Sequence, residues 1–365
     1  MSEVFSLKSI QKAFTFAFIM AAVFVCSLSG QVGTARIEHM LLMRDNTLYV
    51  MEATGANRLR VATEVSTAAF SPDGNLVAYA DRHGIKVFDL QSAKTSTLAK
   101  APAGLVQNVA WSPTQHAVAF SQIIPNKEEV LYLSAYPSSG VPPRQLGPTY
   151  GGISFSSDGN FILHGRAVEN GGTLERTNLE SGKTETLYAA KTLIEEVSYA
   201  PDDSQIAFLL TDEEPESSDS SGPSCVPSGL SLWILASNSK SPAKVSLKQL
   251  GDPDINHFSW SPKGNLLVFD SGRQQCDFPG DHGDIFVISP DLRTAYNLSK
   301  RPLSIRPFFS PDGQRVLFAD FSTYDNNHGP NLMIGDLRTR AVKPFPGQLR
   351  AGDNAGNYDQ IMDWK

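Results

Sequence analysis

Phe70-Ser71-Pro72-Asp73-Gly74, followed by Asn75-Leu76-Val77-Ala78-Tyr79, is the stretch on which the reading of this chain turns. Ser at the first position, Pro at the second and Gly at the fourth are the preferences of a type I turn. Pro fixes its own backbone angle, and the Ser and Asp side chains satisfy local backbone donors. The apolar run after the turn shows little polar alternation, as expected of a strand covered on both faces. The pattern therefore predicts two strands joined by a tight turn, inside a stack of sheets.

Five further copies follow. They are Trp111-Ser112-Pro113-Thr114, Phe155-Ser156-Ser157-Asp158-Gly159, Tyr199-Ala200-Pro201-Asp202-Asp203, Trp260-Ser261-Pro262-Lys263-Gly264 and Phe309-Ser310-Pro311-Asp312-Gly313. The aromatic residues that open the copies are 41, 44, 44, 61 and 49 residues apart. Self-similarity at such a period is the mark of a repeat architecture. A third apolar strand follows in each unit, as in Ile85-Lys86-Val87-Phe88 or Leu232-Trp233-Ile234-Leu235. A more polar fourth, such as Lys183-Thr184-Glu185-Thr186-Leu187, completes it. Four antiparallel strands make a propeller blade, and these six units are numbered 1 to 6.

The termini supply a seventh unit. His39–Met43, Thr47–Glu52 and Arg58–Thr63 read as three strands lacking a first one, and Asp359–Trp364 supplies it from the far end of the chain. Trp364 falls where Trp111 and Trp260 fall in their own repeats. The expectation is an all-β, seven-bladed β-propeller closed by its N- and C-terminal strands. A six-bladed ring with frayed ends is the alternative.

These repeats resemble the TolB-like, WD-like propeller repeats of bacterial envelope proteins. The resemblance rests on the Ser-Pro-Asp-Gly turn and its apolar strand, and it implies a fold rather than a function. No α/β domain of the TolB kind is read ahead of the repeats, and no hydrolase domain of the propeller peptidases after them. Neither the TolB role in cell division nor a peptidase activity is carried over.

Composition narrows the function classes. The 365 residues carry a formal net charge of −7, which excludes general nucleic-acid binding. Lys8 and Lys12 precede an uncharged run from Ala13 to Ser29, with small residues before Gly30. That arrangement predicts a secretory signal peptide over residues 1–29 and a propeller over 30–365. The chain is then periplasmic or secreted, and attached to a membrane only if the N-terminal segment is retained as an anchor. No Gly-x-Ser-x-Gly elbow, His-Glu-x-x-His pair or phosphate-cradling loop is present. The favoured reading is a non-catalytic scaffold with a protein or peptide partner and no cofactor. A propeller hydrolase or lyase acting on a sugar or lactone, with or without a metal, is the rival. It predicts carboxylates and histidines converging at the mouth of the central channel.

Connections between second and third strands vary in length, and such loops carry function on a rigid scaffold. In unit 4 this connection spans Thr211 to Gly229 and holds Asp212, Glu213, Glu214 and Glu216. The next carries Arg273, Asp277, Asp281, His282 and Asp284, and the sixth carries Tyr324, Asp325 and His328. Adjacent units place these residues in one sector of one face, the expected partner-binding surface. Asp277, Asp281 and Asp284 also offer the oxygens Ca²⁺ prefers, although not at EF-hand spacing. His116 and His164, beside strand cores, read as structural. Cys225 and Cys276 remain once Cys26 leaves with the signal, and an even pair in an exported chain points to a disulfide. It would close a loop of about 50 residues and contribute roughly 4 kcal/mol. Thiol titration of the denatured, unreduced mature chain is expected to find no free thiol; two free thiols would refute the bridge.

Overall fold

Each Ser-Pro turn is braced by its own side chains. The computed structural model describes residues 37–100, 104–114, 117–125, 127–212, 229–251, 253–271, 283–301, 303–322, 331–346 and 360–365. In the first turn the Ser71 hydroxyl accepts the Leu76 N–H at 2.9 Å and donates to Asp73, while Gly74 N–H donates to the Ser71 carbonyl at 2.8 Å. Ser156 with Phe161 and Ser310 with Arg315 repeat the arrangement. Hydrogen bonds from the Ser156 hydroxyl and the Asn160 N–H hold the Asp158 carboxyl below its usual range. Gly159, Gly264 and Gly313 all sit at φ +69°, a conformation that costs other L-residues about 1 kcal/mol or more. Asp203 adopts it at +57° where the fourth copy lacks Gly.

Seven four-stranded antiparallel sheets form among the described residues, and these turns join the first and second strands of six of them. The first strands of blades 1 to 6 are Val65–Phe70, Leu105–Trp111, Tyr150–Phe155, Ile194–Tyr199, Ile255–Trp260 and Ser304–Phe309. They stand around a central channel and pack neighbour to neighbour, except that Ile194–Tyr199 and Ile255–Trp260 make little direct contact. Blade 7 is completed by Gln360–Trp364, which pairs antiparallel with His39–Arg44, Met40 opposite Trp364 and Leu41 opposite Asp363. His39 and Lys365 exchange both backbone hydrogen bonds, at 2.6 and 2.9 Å. The seven-bladed reading, with its closure by both termini, is therefore borne out. The ring belongs to the unit Glu38–Lys365; residues 1–36, including the expected signal segment, lie outside the described residues. Among those described, no helix is long and apolar enough to cross a membrane.

The second strands explain the unalternating apolar runs. In blade 4, Ala207 and Leu209 pack with Ile255, Trp260 and Phe269 of blade 5. Their neighbours Phe208 and Leu210 pack with Leu163 and Leu174 of blade 3. Blade 1 repeats this, with Val77 and Tyr79 facing Leu41 and Leu48 of blade 7, and Ala78 and Ala80 facing Trp111 and Phe120 of blade 2. Each sheet thus needs both neighbours. Arg315 of blade 6 adds a polar clasp, donating to both carboxylate oxygens of Glu38 at 3.0 and 2.8 Å, with its guanidinium 5.2 Å from the Trp364 ring centroid.

Turns of adjacent blades also touch. A Cβ on Gly264 would lie 3.2 Å from the Pro201 ring, and one on Gly313 would lie 3.3 Å from Pro262. Gly313→Ala is expected to lower stability by about 1–2 kcal/mol, because strain and contact add. A fall in the urea midpoint at constant slope checks this; an unchanged midpoint would contradict it.

Candidate functional site: the channel mouth

The first strands run from one face of the ring to the Ser-Pro turns on the other. Every one is irregular near its start. Register shifts fall between Val65 and Thr67, Val106 and Asn108, Tyr150 and Ile153, Ile194 and Val197, Ile255 and His257, and Ile305 and Phe308. Blade 7 has its counterpart opposite Leu41 and Leu42. Such bulges re-aim side chains and interrupt pairing. Here they turn Gln107, Glu195, Glu196, Asn256 and His257 toward a cavity of 660 Å³ floored by Gly151 and Gly152. Gly151 is at φ +71°, and a Cβ there would fall 2.2 Å from the Glu195 carbonyl. Only glycine allows blades 3 and 4 to approach this closely.

At least one polar link crosses each of the seven seams around the channel, and seven of these links form a circuit. Ser66 Oγ donates to the Val106 carbonyl at 2.9 Å, and Asn108 Nδ2 to the Gly151 carbonyl at 2.9 Å. Tyr150 Oη donates to Glu195 Oε1 at 3.1 Å. Between blades 4 and 5, His257 Nδ1 lies 3.6 Å from Glu196 Oε2, an ion-pair distance longer than a hydrogen bond. Asp270, 1% exposed, accepts the His257 N–H at 2.9 Å and, across the next seam, the Arg306 N–H at 3.2 Å. With the Gln360 amide turned so that its oxygen faces the guanidinium, it accepts from Arg306 Nη2 at 3.1 Å and Nε at 3.2 Å. Phe70 N–H closes the circuit on Asp363 Oδ2 at 3.0 Å.

Burial and these neighbours set the protonation states. Burial pushes the Tyr150 phenol up to about 12, with the Glu195 charge adding to it. Burial also raises the Asp270 carboxyl. For His257, burial opposes the charged ring, but the Glu196 and Asp270 carboxylates outweigh it and lift the imidazole above its ordinary 6.5.

The residues expected from sequence lie around this mouth or outside the described residues. The described end of the long blade 4 connection is here. Asp212 N–H donates to the Gly229 carbonyl at 2.8 Å, and its carboxylate accepts from Ser231 Oγ at 2.8 Å and Lys244 Nζ at 3.3 Å. Asp284 Oδ1 accepts from Ser299 Oγ at 3.1 Å and the Arg301 N–H at 2.6 Å, so it holds a turn. Glu213, Glu214, Glu216, Cys225, Arg273, Cys276, Asp277, Asp281, His282, Tyr324, Asp325 and His328 lie outside the described residues, as does His116. Among the described residues no group of three His, Cys, Asp or Glu side chains is placed to hold a metal. Glu195, Glu196, His257 and Arg306 were not singled out by the sequence reading. Their signal is the apolar-polar-polar-apolar run Ile194-Glu195-Glu196-Val197, repeated in Ile255-Asn256-His257-Phe258.

Comparisons come down to the propeller itself. No protein-family model matches the chain, and no curated protein matches its sequence. TolB from Acinetobacter baumannii is similar in structure, at 15% identity and TM-score 0.52, over 95% of this chain and 70% of that one. An oligogalacturonate lyase from Vibrio parahaemolyticus aligns over 84% of this chain and 85% of its own, at 12% identity and TM-score 0.55. A prolyl endopeptidase aligns over 89% of this chain and 50% of its own, at 9% identity and TM-score 0.60. The likeness is one of fold.

His164 behaves as a core residue. It is 3% exposed, with Nε2 3.0 Å from Thr177 Oγ1, and burial holds its pKa below 6.5. An unfolded chain takes up a proton near 6.5 that the folded one refuses. Stability is therefore expected to fall as pH drops below that value, at up to about 1.4 kcal/mol per pH unit. His164→Gln should flatten this decline in denaturation curves; an equal slope in both proteins would exclude the role.

Proposed function

We propose that this chain is an exported, non-catalytic β-propeller that docks a protein or peptide on the face holding the channel mouth. One observation carries the reading. The long connections of blades 4, 5 and 6 leave consecutive blades on that same face, and the first of them starts and ends beside the channel cavity at Asp212 and Gly229. The opposite face carries the repeated Ser-Pro turns, whose side chains bond within their own turn, as Ser71 does, or to the next one, as Thr114 and Ser157 do. Glu195, Glu196 and Asp254 line the cavity, and among the described residues its lining contains no Lys or Arg. With residues 1–29 removed the chain carries −8, so a cationic partner surface is favoured on encounter. The TolB-like fold supports an envelope location.

The Glu196–His257 pair favours a second reading, since a carboxylate beside an imidazole is an acid–base arrangement. The substrate named for the similar Vibrio lyase is oligogalacturonate, an oligomer of a sugar acid. An acid-lined cavity repels such a polyanion, and this weighs toward docking. Cross-linking of the tagged mature chain in its native envelope is expected to join one protein reproducibly to the connections of blades 4 to 6. Deleting residues 213–228 and neutralising Arg273, Asp277 and Asp281 should abolish that product while unfolding stays cooperative. Retained cross-linking would move the site to another face. Turnover of a neutral sugar or lactone, lost in Glu196→Gln, would establish the rival.

A further inference from the structure

Six of the seven links around the channel contain no histidine side chain. They rest on backbone N–H and carbonyl groups, a Ser hydroxyl, Asn and Gln amides, a guanidinium, a Tyr phenol bound to the Glu195 carboxylate, and the carboxylates of Asp270 and Asp363. The link between blades 4 and 5 is different, because it is an ion pair only while His257 is protonated.

The same seam is flanked by cavities on the channel-mouth face. A second cavity of 440 Å³ is lined by Leu230, Ser231 and Leu232 of blade 4 and by Pro253, Asp254 and Ile255 leading into blade 5; it shares Leu230 and Asp254 with the channel cavity and lies where Leu232 and Ile255 reach the rim of the shared core. Toward the Ser-Pro turns the seam is shut, by the packing of Leu209 on Trp260 and Phe269 and by Gly264 against Pro201. The two blades therefore form a wedge, hinged at one face and open at the other. His257 sits at its inner edge.

The charges around the imidazole come from several elements. Glu196 faces it from the first strand of blade 4, with Glu195 beside it held by Tyr150 of blade 3. Asp270 lies beneath it on the second strand of blade 5, and Arg306 approaches from blade 6. Asp254 lines the shared wall, while Asp212, Lys244 and Lys248 lie along the second cavity. Gln107 and Asn108 of blade 2 add no charge.

We propose that the channel-mouth half of the blade 4–5 seam is a pH-sensitive latch, closed when protonated His257 holds Glu196 and opened when that proton leaves. The neutral ring no longer offsets Glu195, Glu196, Asp254 and Asp270, and their repulsion spreads the wedge and merges the two cavities. A raised imidazole pKa gives the direction. The folded protein binds the proton more tightly than the unfolded chain, so the latch contributes fully below the unfolded value of 6.5 and is lost as pH rises through the folded value. The side chains are 44% and 32% exposed, so solvent screens the pair and the effect is local rather than global.

Amide hydrogen exchange on the full chain, corrected for intrinsic pH dependence, tests the latch without any partner, so its failure leaves the docking reading standing. Between about pH 5.5 and pH 8.5, protection over residues 229–232 and 254–257 is expected to fall about fivefold. Protection over 65–67 and 106–109, at the blade 1–2 seam, should stay constant. Glu196→Gln should remove the pH response at the blade 4–5 seam, and His257→Gln should do the same if the first variant fails to fold. Constant protection in the natural protein, an equal loss at both seams, or a pH response surviving in either variant would overturn the proposal.

Discussion

A sheet with two apolar faces cannot stand alone, and everything in this ring follows from that constraint. Alternate residues of one strand are divided between two neighbours, as Phe208 and Leu209 are between blades 3 and 5. A fully buried side chain of this size contributes on the order of 2–3 kcal/mol, and half of each blade's share depends on the next blade. A linear stack would leave two such faces bare. Pairing Gln360–Trp364 with His39–Arg44 removes the ends, and Arg315 on Glu38 secures the seam beside it. The order of the chain matters for this reason. The last strand made completes the first sheet.

The polar circuit is the companion of that packing. A bulge frees backbone groups from the ladder, and buried polar groups left unpaired are costly. Each seam answers with a side chain from one blade and a group on the next. Asp270 is the extreme case, a carboxylate with 1% exposure that gathers N–H groups from two blades. Its raised pKa records that burial exceeds what two donors return. Removing the donors would leave the charge stranded, so the residue is better understood as tying the first strands of blades 5 and 6 than as a free acid.

The fold was legible because its decisive chemistry is local. Ser71, Pro72, Asp73 and Gly74 build their turn from groups within five residues of one another, and six copies of such a turn leave few architectures. Even the missing strand could be found, since Trp364 carries the same aromatic position as Trp111. The channel mouth was harder to read. Whether Glu196 points into the cavity depends on a slip in register against Phe208, which is a property of two strands and not of one. Length drew the sequence reading to the insertion after Thr211, whereas the described polar groups gather at the short stretches where first strands begin. Asp212 belongs to both, at the point where the insertion leaves the ring.

A closed ring also decides where movement is affordable. Opening any seam from face to face would need six other seams to absorb the displacement, and close-packed cores resist that. A wedge that opens on one face alone asks far less, provided its other face is held. The blade 4–5 seam meets that condition: Gly264 against Pro201 and the Trp260 cluster fix the Ser-Pro side, while two cavities flank the seam on the other. The flanks of the wedge are Leu230 and Asp254, directly beside the described ends of the longest connection. The proposed docking surface and the proposed latch therefore adjoin at Leu230 and Asp254.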